Sequence, residues 1–236
     1  MTARIMQSIF KPFIHPVAAF SLLALTLGNV QAGVTIDHFT NSQLVRNPAN
    51  VGESSSNTIM GGDFIGTSRE MSVDRNGLLG SSYAESHSGN PSTLVIGNSG
   101  NATGIVVMQW NDILDINLTE AGAEGVFLSF TNPIDRALTI TFNAFDDVMN
   151  VNAIGSKTFA DQSQGLDFFI PFATFSNSNV LKSVNTLTAT FTSVHANWDA
   201  NIDYIETRDM EVPTPGILSL MVIGLTGLGF SRHRRV

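Results

Sequence analysis

Leu138-Thr139-Ile140-Thr141-Phe142-Asn143-Ala144 alternates apolar with polar residues at every step, and Leu187-Thr188-Ala189-Thr190-Phe191-Thr192 repeats the pattern. Successive side chains of a β-strand point to opposite faces, so each stretch reads as a strand with one buried and one wet face. Gly104-Ile105-Val106-Val107-Met108-Gln109-Trp110 and Gly125-Val126-Phe127-Leu128-Ser129-Phe130 are more continuously apolar and read as more deeply buried strands. Further strands are expected over residues 34–39, 69–73, 78–85, 92–96, 166–172 and 202–207, which makes about ten short runs bounded by Gly, Asn, Ser and Asp. No long amphipathic helical pattern interrupts them. The pattern predicts an all-β fold, an antiparallel two-sheet sandwich whose core is filled by most of the 16 Phe residues. Gly61-Gly62 and Ser54-Ser55-Ser56 read as turn or loop material, without the glycine pattern and lysine of a phosphate-binding loop.

The two ends of the 236-residue chain differ from this middle in charge. Residues 1–32 hold Arg4 and Lys11 and no acid, and residues 213–236 hold Arg232, Arg234 and Arg235 and no acid. The remaining seven basic residues face all 20 acidic ones in the middle, a net charge of −13 there. So acidic a surface repels a phosphate backbone and excludes nucleic acid as a partner, while tolerating cations and neutral sugars. With no cysteine, the chain has no disulfides, thiolate metal sites or cysteine nucleophiles and must stand on its packed core.

The N-terminus has the three parts of a secretory signal peptide: the basic stretch, an apolar run from Val17 to Leu27, and a small-residue exit at Val30-Gln31-Ala32 before Gly33. Cleavage between Ala32 and Gly33 is expected, by signal peptidase after passage through the export translocon. The apolar run of 11 residues is short of the roughly 20 that a spanning helix needs. At the other end Pro213-Thr214-Pro215 precedes an apolar segment, Gly216 to Phe230, and then the Arg cluster. As a helix that segment would rise about 22 Å at 1.5 Å per residue, which flanking residues and local thinning can fit to a bilayer. Arginine prefers the cytoplasmic side, so the tail reads as a stop-transfer helix oriented N-out, C-in in the inner membrane. The expected organisation is a signal peptide over 1–32, a sandwich domain over 33–211 and a sorting tail over 212–236.

The tail resembles that of the PEP-CTERM proteins of Gram-negative bacteria in its order of Pro-x-Pro, short Gly- and Leu-containing apolar helix and terminal Arg cluster. The resemblance implies recognition by an exosortase, with Pro213, Thr214 and Pro215 as the sorting motif and Arg232, Arg234 and Arg235 as the retention cluster. It further implies delivery to the cell surface or an exopolysaccharide matrix after the tail is removed. Thr214 stands where the family carries Glu, so both cutting of the tail and a permanent anchor stay open. The middle is similar to galactose-binding-domain-like jelly rolls through Ile36-Asp37-His38-Phe39, Gly61-Gly62-Asp63, residues 69–73, residues 103–110 and Asn201-Ile202-Asp203-Tyr204-Ile205. That likeness implies a jelly roll with its first and last strands side by side.

Chemistry is sparse in the middle domain. His38, His87 and His195 lack a second histidine at metal-ligand spacing, and neither His-Glu-x-x-His nor Gly-x-Ser-x-Gly occurs. The carboxylate pairs are Asp112 with Asp115, Asp146 with Asp147 and Asp199 with Asp203; Asp146-Asp147 reads as a loop or strand-end pair exposed to water. Asp199, Asn201 and Asp203 present oxygen at alternate positions and are candidates for calcium, against solvated turn carboxylates; no other cofactor is expected. Trp198 beside Asp199 is the candidate sugar platform, against a buried tryptophan near a strand start. The expected function is that of a non-catalytic surface or matrix protein, polysaccharide being a further partner. The alternative is a secreted carbohydrate-binding or carbohydrate-active protein using loop carboxylates and aromatics.

Overall fold

The computed structural model describes residues 32–48, 54–76, 80–89, 92–161, 163 and 167–210. The leader up to Gln31, the Pro213-Thr214-Pro215 motif and the cluster of Arg232, Arg234 and Arg235 lie outside the described residues. Among the described residues no helix is long and apolar enough to cross a membrane.

Two antiparallel sheets face each other. The first runs β11 (Asp167–Pro171), β8 (Gly125–Phe130), β13 (Ala200–Arg208), β6 (Thr93–Asn98), β5 (Ser82–His87) and β2 (Gln43–Asn47). In it β13 pairs with β6 through Ala200–Ile202, while β1 (Ala32–Asp37) pairs with the later part of β13, Ala32 opposite Arg208 and Asp37 opposite Ile205. First and last strands therefore lie side by side, as expected. The second sheet runs β10 (Val151–Phe159), β9 (Leu138–Asp146), β12 (Thr186–Thr192), β7 (Thr103–Asn111), β4 (Ser68–Asn76) and β3 (Ser55–Met60).

The alternating stretches sit where their pattern directs. Every second residue of β7, β9 and β12 is buried and the intervening ones are not. The inward set, including Met108, Phe142, Leu187 and Phe191, packs against Leu94, Leu128 and Ile205 of the first sheet in one core. Burying each such side chain is favourable by about 1.5–3 kcal/mol, enough to hold the two layers without disulfides. Along one side Phe168 of β11 meets Phe130 of β8 and Phe159 of β10 edge-to-face, with ring centroids 4.7 and 4.5 Å apart, joining the two sheets.

Between the sheets lies a buried polar cluster. Arg69 Nη1 on β4 donates to both carboxylate oxygens of Asp37 on β1 at 3.0 and 2.8 Å, and its Nε donates to Gln43 Oε1 at 2.8 Å. Trp110 Nε1 and the Phe39 backbone N–H donate to the same carboxylate at 2.9 and 2.7 Å. Burial pushes the Asp37 carboxyl above its ordinary range; the Arg69 charge and these donors pull against it.

Three strands depart from the sequence expectation. β2 buries Gln43, Val45 and Asn47 and exposes Leu44, inverting the usual pattern. The reason is that Gln43 Nε2 and Asn47 Nδ2 donate across the core to the backbone oxygens of Asn57 (2.7 Å) and Val73 (3.3 Å) in the second sheet. β3 takes in Ser55 and Ser56, read above as turn or loop; an edge strand with little burial needs no apolar period. β10 is likewise an edge strand whose inward positions include Gly155, so its alternation is faint.

Candidate functional site

The outward residues of the second sheet form a surface rich in hydroxyl groups. β12 contributes Thr186, Thr188, Thr190 and Thr192, set outward because Leu187, Ala189 and Phe191 fill the core. The register places Thr192 opposite Thr139, Thr190 opposite Thr141 and Thr188 opposite Asn143 on β9. On β10, Thr158 and Ser156 then face Thr139 and Thr141, with hydroxyl oxygens 2.8 Å apart in both pairs. On the other side of β12, Val107 and Gln109 of β7 oppose Thr190 and Thr188.

These groups lie in rows about 4.7–4.9 Å apart across the strands and about 6.6–6.8 Å apart along them. By the register none of the positions of β7, β9, β10 and β12 on this face is ionisable; the exposed Lys157 of β10 lies opposite the buried Ile140 and reaches away to Phe169 O at 2.9 Å, and Glu70 and Asp74 on β4 bring the first charges on the other side. Each threonine hydroxyl both donates and accepts, so the surface offers hydrogen bonds in both senses without charge. The strands fix it rigidly, and β-branched threonine suits them.

One end of this face opens into a cleft of ≈ 250 Å³ lined by Asp112, Ile113, Leu114, Phe145, Asp147, Asn185 and Thr186. Phe145 is the last outward residue of β9 and is half-buried. Asn185 braces the cleft, donating from Nδ2 to Asp115 Oδ1 at 2.9 Å and accepting the Asp147 N–H at 3.0 Å. Asp112 accepts from the Thr67 hydroxyl at 2.8 Å. The cleft thus combines a half-buried aromatic ring with two carboxylates and an amide.

The residues singled out in the sequence are distributed differently. Trp198 is only 1% exposed and donates its indole N–H to Gly104 O at 3.2 Å, so it is a core residue and cannot serve as a sugar platform. Asp199, Asn201 and Asp203 alternate with the buried Ala200 and Ile202; Asp199 and Asn201 share one cleft, and Asp203 is not among its lining residues. Among the described residues no group of three or more His, Cys, Asp or Glu is placed to hold a metal. Asp199 instead accepts the Asn98 N–H at 3.0 Å and lines a cleft of ≈ 200 Å³ with Asp135, Asn132 and Asn201. Burial raises its pKa, the Asn98 N–H opposes that, and the Asp135 charge adds to it. Asp146, read as exposed, is buried at 2% exposure and accepts the Met149 N–H at 2.8 Å, closing the β9–β10 turn; Asp147 is exposed.

The three histidines lie in separate places, each near a single carboxylate: His38 with Asp63, His87 with Glu85 and His195 with Asp161. Tyr204 sits on the outer face of the first sheet under Arg208, whose Nη2 donates to its hydroxyl at 2.8 Å while the guanidinium covers the Phe127 ring at 3.9 Å. The threonine face went unread as a site, although Thr186, Thr188, Thr190 and Thr192 at a spacing of two, in a domain otherwise so acidic, were visible signals.

No protein-family model and no curated protein matches the chain. Among solved structures it is similar to a family 11 carbohydrate-binding module from Clostridium thermocellum in complex with a β-1,3-1,4-mixed-linked tetrasaccharide. That pair shares 10% identity at a TM-score of 0.38, over 75% of this chain and 95% of the module. A carbohydrate-binding module specific for non-crystalline cellulose is similar at 13% identity and a TM-score of 0.33, over 58% of this chain and 80% of the module. Another, TmCBM61, solved with β-1,4-galactotriose, is similar at 8% identity and a TM-score of 0.31, over 59% of this chain and 88% of the module.

Proposed function

We propose that this chain is an exported, non-catalytic protein that binds a neutral polysaccharide along the outer face of its second sheet. The observation that carries the reading is the absence of any ionisable residue among the outward positions of β7, β9, β10 and β12, in a domain whose net charge is −13. The acidic remainder repels polyanions, while the hydroxyl rows offer an uncharged ligand both donors and acceptors.

Export by the leader cleaved between Ala32 and Gly33, and retention through the tail, belong to the same proposal. Exosortase would act at Pro213-Thr214-Pro215 while Arg232, Arg234 and Arg235 hold the tail, and the product would reach the cell surface or extracellular matrix. The test is binding of the full chain to immobilised neutral glucans and galactans beside a polyuronate of equal length. Retention on the neutral polymers without shortening them supports the proposal. Preferential retention on the polyuronate, or cleavage of a neutral polymer, contradicts it.

A further inference from the structure

Nine large hydrophobic side chains are exposed among the described residues, and they are distributed very unevenly. Six lie at one end of the sandwich: Met60, Leu114, Val148, Met149, Val151 and Met210. Leu114 and Val148 are 87% and 81% exposed. Of the other three, Leu44 and Ile154 lie within strands, and only Val194 occupies a connection at the opposite end.

A chain of hydrogen bonds shows that the six share one end. Met60 closes β3, and the turn after it is tied through Gly61 N to Thr67 O (2.8 Å) and Thr67 N to Asn111 O (3.0 Å), the last residue of β7. The loop that follows β7 carries Leu114 and is held to Asn185 through Ile113 N to Asn185 O at 2.9 Å. Asn185 also accepts the N–H of Asp147, which places the β9–β10 turn with Val148 and Met149 there as well. The same loop ends at Glu124, whose N–H donates to Arg208 O at 2.8 Å, two residues before Met210.

Both ends of the described chain leave from this place, since Ala32 pairs with Arg208. Beyond Met210 the sequence reaches the apolar segment starting at Gly216, and six extended residues span at most about 20 Å. If that segment enters a bilayer, the exposed apolar tips stand within reach of its surface.

We propose that, as long as the tail is uncut, this end of the sandwich rests on the membrane, with Leu114, Val148 and Met149 inserted among the lipid headgroups; the inference depends on the membrane reading of the tail. Loop tips carrying exposed aliphatic side chains bury them in the interfacial region, as the apolar face of a surface-bound helix does. Asp112, Asp115, Glu124, Asp147 and Asp209 at this end outnumber Lys182 and Arg208, so zwitterionic lipid is the matching surface and anionic lipid opposes it. The strands of the second sheet then run away from the bilayer, and the threonine face stands clear of it.

The chain contains no cysteine, so single-cysteine variants report one position each. Leu114→Cys, Val148→Cys and Val194→Cys in the full chain would be spin-labelled and reconstituted into phosphatidylcholine vesicles. The accessibility of each label to oxygen and to a water-soluble nickel complex is then compared. An oxygen-to-nickel ratio several-fold higher at 114 and 148 than at 194 is expected. Vesicle-bound protein with all three labels equally open to nickel would overturn the inference while leaving the membrane tail intact. Protein that does not float with the vesicles overturns both. Dipolar broadening between labels at 148, with no gain in oxygen access, would assign the end to self-association and overturn the lipid contact.

Discussion

Thr139 and Thr158 hold their hydroxyl oxygens 2.8 Å apart across the β9–β10 ladder, and Thr141 and Ser156 repeat the distance in the next row. Each hydroxyl uses part of its capacity on its neighbour and keeps the rest for what lies above the sheet. The pairing also holds the rotamers, so a ligand meets groups that are already ordered, which reduces the entropy cost of binding.

The pair of Asp37 and Arg69 is expected to stabilise the fold only as a pair. Arg69→Met leaves the Asp37 carboxylate buried beside Trp110 without its cation, and a loss of about 3–5 kcal/mol is expected. Urea unfolding of the variant measures it; a loss under about 1 kcal/mol would show that the carboxylate is neutral or hydrated without Arg69.

Trp198→Ala should cost about 3–5 kcal/mol of stability, as removal of a buried tryptophan does, and leave the polysaccharide affinity of the folded protein unchanged. Thermal unfolding and a binding isotherm on the same preparation separate the two effects. A large fall in affinity with unaltered stability would restore Trp198 as a sugar platform.

Asp199 gives a pH signature. Its folded-state pKa is raised, first by burial and further by Asp135, against the Asn98 N–H. A group raised in the folded state contributes stability that is complete below its unfolded pKa, about 3.9, and is lost as pH rises through the folded value. Asp135→Asn removes the neighbouring charge, so the Asp199 titration should move down and the loss of stability should become smaller. Carboxyl chemical shifts followed against pH in both proteins check this; an unmoved titration would mean that burial alone sets it.

Phe145→Ala removes the half-buried ring of the cleft. The cleft lies at the end assigned to the membrane, apart from the threonine rows, so the sugar affinity is expected to stay within about twofold, a change under about 0.5 kcal/mol. Titration calorimetry against the neutral oligosaccharide retained by the full chain measures it. A tenfold or larger fall would place the cleft in the sugar site and contradict the membrane contact of that end.

Much of the fold was legible because alternation in 138–144 and 187–192 encodes both the strand and its buried face. The side-by-side placement of β1 and β13 followed from the jelly-roll likeness. β2 escaped because Gln43 and Asn47 are buried for the sake of hydrogen bonds across the core, a reason no hydrophobic pattern records. β3 escaped because an edge strand can be almost wholly polar. For the site the sequence drew attention to rare residue types, Trp198 and the carboxylates, whereas Trp198 packs inward and Asp203 stands apart from the cleft that Asp199 lines. The threonines were read only as the wet side of strands, because the register that aligns Thr192, Thr139 and Thr158 in one row is a property of three separate segments.

The central claim is that an uncharged hydroxyl surface binds a neutral polysaccharide, and one substitution tests it most directly. Thr190→Glu sets a carboxylate in the middle of the face, opposite Thr141 and Val107, without disturbing the core side of β12. Measured by affinity electrophoresis of the full chain in a gel containing the neutral polymer that retains the unaltered protein, the variant should migrate as though no polymer were present. That corresponds to a loss of about tenfold or more, at least about 1.4 kcal/mol. A folded Thr190→Glu variant retarded as strongly as the unaltered protein would contradict the claim.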